Sequence, residues 1–304
     1  MSESILTLPS FAKINLSLRV SGRRPDGYHE ISTIFQTVTL HDRLTFQTLP
    51  DERIELTCDD GDIPVDQRNL VWQAAVALRA HAGVRAGARI DLRKRIPAGG
   101  GLGGGSSNAA VTLLGLACLW KIQTSKEELA NLGARLGADV PFFLTGGRAC
   151  GTGTGSDIRP LADEPEQPLL IVTPKVFVST AAAYEALNAP ALTKAEGVAN
   201  LPISRESPDF SVSLYEELSN DFEPVVFRLH PEIRQAKEAL LDSGARRALL
   251  SGSGASVFGI FDGREHRERA GGALSGKTNW RVFSCTTLSR AQYVAALSSC
   301  DQLS

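Results

Sequence analysis

One run, Gly99-Gly100-Gly101-Leu102-Gly103-Gly104-Gly105-Ser106-Ser107, restricts the fold of this chain more than any other. It sits between a strand-like segment, Ala88 to Ile96, and an apolar helical stretch, Ser106 to Trp120. Closely spaced glycines let main-chain amides converge on one anion, and a helix start adds free N–H groups and the positive end of its dipole. A flexible linker would not sit between a strand and a well-started apolar helix. Ser106 or Ser107 is expected to cap that helix.

Two other glycine patterns compete with this reading. Gly99, Gly101 and Gly104 satisfy G-x-G-x-x-G, yet the preceding strand carries Asp91, Arg93, Lys94 and Arg95, where a dinucleotide fold requires a buried apolar strand. Gly271 to Thr278 satisfies the P-loop pattern letter for letter. Charged residues precede it and the strand-like Trp280-Arg281-Val282-Phe283 follows, the reverse of the strand-before, helix-after frame. Lys277 is therefore expected in a solvated turn.

With 304 residues, 42% apolar and 22% charged, the chain fits two moderate α+β domains, placed at residues 1–160 and 161–304 with the active site between them. A net charge of -2 gives no footprint for nucleic acid. No apolar run approaches a membrane span, and no targeting segment is read before the first strand, so the cytoplasm is the expected location, with a monomer or weak homodimer. The five cysteines show no Cys-x-x-Cys pair, so neither a disulfide nor a cysteine metal site is implied, and Cys118 reads as a reduced thiol.

From Ala12 to Val20 apolar residues occupy alternate positions, which puts Lys13 and Asn15 on the other, uncovered face of a strand. Arg24-Pro25-Asp26-Gly27 is a turn that delivers Tyr28 and His29 into the next strand. Asn69 to Ala82 reads as a helix, and Ser125 to Glu128 is a capping box whose helix ends near Gly137, just before Asp139. An irregular stretch follows from Leu192 to Ser211, then a helical pattern from Val212 to Leu218, and the tail from Ala291 reads as an optional terminal helix.

Taken with Lys13-Ile14-Asn15 and Ser251-Gly252-Ser253-Gly254-Ala255-Ser256, the loop from Pro97 and Ala98 to Ser107 resembles the three motifs of the galactokinase, homoserine, mevalonate and phosphomevalonate kinase superfamily. The segments from Phe11 to Leu16, Arg24 to His29 and Gly137 to Phe143 resemble one family within it, the 4-diphosphocytidyl-2-C-methyl-D-erythritol kinases of the non-mevalonate isoprenoid pathway. The resemblance implies an ATP-dependent kinase acting on the 2-hydroxyl of a cytidine-diphosphate-linked sugar alcohol. It implies Lys13 and Asp139 as catalytic, the loop with Asn69 and Lys94 on the nucleotide, and Asn15, Tyr28 and His29 on the substrate. Phe177 or Tyr184 would supply a second aromatic wall for the cytosine.

The chemistry is coherent on the residues themselves. Phosphoryl transfer needs positioning and charge neutralisation: amides on the phosphates, Mg²⁺ among oxygen ligands including a hydroxyl of Ser106 or Ser107, a carboxylate for the hydroxyl proton and a nearby cation. Singly, Asp139 reads equally well as a helix N-cap, whereas Lys13 alone is more often a solvated strand residue and Tyr28 alone more often packing. Their joint occurrence with the loop favours the site.

Overall fold

The computed structural model describes residues 5–191 and 218–298. The irregular stretch expected from Leu192 and most of the helical pattern before Leu218 lie outside the described residues.

Two sheets stack face to face, with helices on their outer sides. Among the described residues the first has seven strands. Its spine is a long hairpin of β1 (Ile5–Arg23) and β2 (His29–Leu49), with β4 (Gly87–Arg93) and β3 (Ile54–Cys58) beyond β2. The first half of β2 instead pairs with β5 (Arg148–Thr152), which continues to β6 (Asp157–Pro160), and β8 (Ser219–Asn220) lies along β1. The second sheet is antiparallel, ordered β11 (Trp280–Thr286), β7 (Pro168–Pro174), β10 (Val257–Ile260), β9 (Arg247–Leu250).

Alternating apolar positions explain the layering. In β1, Ala12, Ile14 and Leu16 pack with Leu169, Ile171, Leu249, Phe258 and Ile260 of the second sheet. In β7 the intervening Leu170 and Val172 join the opposite core, which is closed by helices α6 (Glu223–Leu229), α7 (Pro231–Asp242) and α8 (Arg264–Ser275). Period-two alternation thus gives each sheet one face for its partner and one for helices.

The outer face of the first sheet is covered by α1 (Leu70–Ala82), α2 (Gly104–Leu119), α3 (Lys126–Leu136) and the six-residue α4 (Val140–Thr145). Every residue of α2 from Ser107 to Ala117 is buried, as expected of a helix apolar on all sides. This cover corrects one expectation. Lys13 and Asn15 do share a face of β1, but both are buried, because the helix layer closes over that face. The first strand also begins earlier than its apolar alternation indicated, at Ile5. Cys58, Cys150 and Cys285 are free thiols. Cys118 is disulfide-bonded, against the reduced thiol expected of it.

Candidate active site

The glycine run turns its carbonyls into the protein and its amides outward. The carbonyls of Gly100, Gly101 and Leu102 accept from Ser256 N (3.1 Å), Ser251 Oγ (3.0 Å) and Lys13 N (3.0 Å). In a trans peptide the N–H points opposite its carbonyl. The amides of Gly99 to Gly103 accordingly donate to no acceptor among the described residues. Those of Gly104, Gly105 and Ser106 open α2, where the first helical turn leaves its N–H groups unused. This is a cradle for an anion of several oxygens. Contrary to expectation neither serine caps α2: its N-cap is Gly103 at φ 69°, in the left-handed region that glycine tolerates best.

Glycine is needed at position 101 for a different reason. A Cβ there would lie 2.1 Å from the carbonyl oxygen of Ser251, so the loop and the segment Ser251 to Ser256 could not interlock. That segment brings Gly252 and Ser253 to the same cleft. Asn220 orients it by donating to the carbonyls of Leu250 and Gly252, both at 2.8 Å, and Thr180 pairs with Ser253 at 2.9 Å. No local pattern marked Asn220 or Thr180.

Beside the cradle, Lys13 Nζ donates to Asn15 Oδ1 at 2.7 Å and lies 3.5 Å from Asp139 Oδ2, with the Lys13 side chain 5% and that of Asp139 30% exposed. Asn15 in turn donates to Thr33, and the ammonium lies 5.5 Å from the centre of the Phe35 ring. Asp139 stands at the N-cap position of α4 but makes no capping hydrogen bond, so its carboxylate is left to the ion pair and to solvent.

A cleft of about 1250 Å³ runs from Gly101 and Gly103 past Lys13 and Asp139 to Tyr28, His29 and Tyr184, lined from both halves of the chain. At its far end the rings of His29 and Tyr184 stack at 4.5 Å and 21°, and Tyr184 meets Phe222 edge-on at 4.8 Å. Burial, then the charge of Arg23, lowers the His29 pKa, keeping its imidazole neutral near pH 7. Burial, with the Asp139 charge behind it, pushes the Tyr184 phenol up to about 12.

Several expected residues are placed elsewhere. Phe177 is not among the residues lining the cleft; it is 77% exposed, its ring beside Gly99, because it precedes α5 (Thr180–Leu187), the helix that carries Tyr184 inward. Asn69 uses its amide to cap α1, accepting from Val71 N at 2.9 Å and donating to the Pro64 carbonyl. Lys94 bonds the buried Asp42 and, at 3.2 Å, Asn108, beneath the start of α2. Asp42 also accepts from the amides of Arg95 and Ile96, a network that fixes the approach to the loop and that no local pattern revealed. Ser107 is fully buried and accepts from Ser10 at 2.7 Å, which removes it from any metal shell, whereas the Ser106 hydroxyl faces Gly137, two residues before Asp139. Lys277 lies in an exposed turn after α8, and Gly271 and Gly272 are residues of that helix.

Residues 69–147 match the GHMP kinases N terminal domain and residues 209–278 the GHMP kinases C terminal domain. The chain is 43% identical over 284 residues to the 4-diphosphocytidyl-2-C-methyl-D-erythritol kinase of Prosthecochloris aestuarii, covering 89% of this chain and 94% of that one. It is 41% identical over 280 residues to the enzyme of that name from Syntrophus aciditrophicus, covering 92% and 98%. A crystal structure of 4-(cytidine 5'-diphospho)-2C-methyl-D-erythritol kinase superposes with TM-score 0.76 at 35% identity, over 93% of this chain and 99% of that one. The homoserine kinase of Cytophaga hutchinsonii, at TM-score 0.70 and 20% identity over 95% and 96%, shares the fold. With this identity sustained over most of both chains, the protein belongs to the 4-diphosphocytidyl-2-C-methyl-D-erythritol kinase family of the GHMP kinases.

Proposed function

We propose that the chain transfers the γ-phosphoryl group of ATP to the 2-hydroxyl of 4-diphosphocytidyl-2-C-methyl-D-erythritol, giving ADP. What carries the reading is the position of the Lys13–Asp139 pair, in one cleft between unpartnered loop amides and the His29–Tyr184 stack. The amides hold the phosphates, and Asp139 takes the hydroxyl proton as the new O–P bond forms and the bond to ADP breaks. Lys13, held by Asn15, neutralises charge on the transferred group. Asn15, Tyr28 and the neutral His29 bind the acceptor, with Tyr184 as the second aromatic surface. Asn69 and Lys94 support the nucleotide side by fixing α1 and the loop entrance.

Hard oxygen donors suit magnesium, which keeps most of its shell in phosphate and water oxygens. Among the described residues no cluster of three or more His, Cys, Asp or Glu side chains competes for such a role. Ser106 fits as its hydroxyl ligand, and the ion would supply neutralising charge on the phosphates. No described helix is long and apolar enough to cross a membrane. We place the protein in the cytoplasm as a monomer or weak homodimer, with its domain boundary near residue 160.

Other GHMP kinases, acting on mevalonate, homoserine or a sugar, are the alternative, and the aromatic end of the cleft argues against them. Coupled ADP detection across a panel of acceptors tests this: turnover is expected with the cytidine-linked alcohol and not with mevalonate, homoserine or galactose. Turnover with one of those instead would refute the substrate. ATP binding without any acceptor-dependent ADP would make the chain a nucleotide sensor.

A further inference from the structure

Asp139 is carried by a short element that depends on its neighbours, with Val140, Pro141, Phe142 and Phe143 buried. Helix α4 has six residues, too few to hold itself, and Asp139 does not cap it. Its far end is gripped by the C-terminal segment. Helix α9 (Arg290–Leu297) opens with a capping box of Ser289 and Gln292 and buries Tyr293, whose hydroxyl donates to the carbonyl of Phe143 in α4. Burial pushes the phenol pKa up, so the hydroxyl stays a donor.

The docking slot admits nothing larger than glycine. Gly146 and Gly147 both have φ 67°. A Cβ at Gly146 would lie 2.1 Å from the Tyr293 ring, and one at Gly147 would lie 2.7 Å from the Arg290 amide. The same segment reaches the lysine side of the site. Thr37, the cross-strand partner of Lys13, donates to the Gly147 carbonyl at 2.9 Å, and its own carbonyl accepts from Leu288 at 2.9 Å. The tail therefore meets both supports of the ion pair, β2 beside Lys13 and α4 beside Asp139.

We propose that Tyr293 is a positioning residue for phosphoryl transfer, holding Asp139 in register with Lys13 through the Phe143 carbonyl. This rests on the catalytic roles proposed above for that pair. Small displacements of a catalytic group are expensive in rate, so Tyr293→Phe, which keeps the buried ring, should lower kcat about tenfold with both KM values within about twofold. In an Asp139→Asn background the same substitution should change kcat by less than about twofold, since the group it positions is gone. Leu297→Ala opens a cavity elsewhere in α9 and should lower Tm with kcat unchanged.

An unchanged kcat in Tyr293→Phe, an equal fractional loss in both backgrounds, or an equal loss in Leu297→Ala would overturn the proposal. So would a Tyr293→Phe protein that does not fold, which would make the hydroxyl a stability element. None of these touches the functional reading, which fails separately if the wild-type enzyme gives no acceptor-dependent ADP.

Discussion

Two glycine-rich segments of this chain match nucleotide-binding patterns, and they have opposite fates. Gly271 to Thr278 fits the stricter pattern, yet its first two glycines sit inside α8 and Lys277 lies in a turn with its ammonium 5.9 Å from the Trp280 ring centre. Gly99 to Gly105 fits a looser one and presents a row of free amides at a helix start beside a lysine and a carboxylate. The difference lies in the frame. A loop aims its amides at a phosphate only if its carbonyls have partners behind it. Ser251, Ser256 and Lys13 provide those partners to the first segment.

The largest effect that would break this contrast is expected at the ion pair. Asp139→Asn or Lys13→Ala should lower kcat by at least about two orders of magnitude, the usual contribution of a general base or a cation on the transferred group, with the fold intact. Near-normal steady-state kcat in either would move the chemistry elsewhere.

Next comes the loop. Gly103→Ala forces a Cβ into the left-handed region, at about 1–2 kcal/mol, and to 2.8 Å from the Phe143 ring and 3.1 Å from Lys13 Cγ. KM for ATP should rise about tenfold or more with kcat falling too, since each 1.4 kcal/mol is about a factor of ten. Isothermal titration with ATP checks the binding component, and unchanged affinity would remove the loop from the phosphates.

A smaller, selective effect belongs to the aromatic end. His29→Ala should raise KM for the cytidine substrate and leave KM for ATP alone, because base recognition contributes uniform binding. The lowered His29 pKa sets the sign of the pH response: its neutral form persists to below pH 6.5, and acceptor KM should climb only as pH falls past that lowered value. A titration in acceptor KM centred above pH 7 would contradict the assignment.

The smallest effects should come from the other glycine segment. Lys277→Ala should leave kcat and ATP KM within about twofold. Gly272 is an exposed helix-interior residue with open space around it, so Gly272→Ala should stabilise the protein by about 1 kcal/mol in urea unfolding. A loss of activity in either would revive the P-loop reading.

What the sequence made legible follows from the range of the forces involved. The helix from Asn69, the α3 capping box and the strand alternation are local, and each is present. The pairing of Lys13 with Asn15 on one face was legible from period two, but its burial was not, since that depends on helices a hundred residues downstream. Asp42 with Lys94, and Tyr293 with Phe143, are 52 and 150 residues apart in the chain and leave no local trace. Phe177 and Tyr184 are equivalent by composition. The helix start at Ser179, whose side chain accepts from Ala182 N at 3.3 Å, decides which one enters the cleft.

The decisive measurement is a crystal structure with a non-hydrolysable ATP analogue. The β- and γ-phosphates should lie on the amides between Gly99 and Ser106, with the γ-phosphate beside Lys13. Phosphates seated at Gly271 to Lys277, or anywhere that leaves those amides without a ligand, would contradict it.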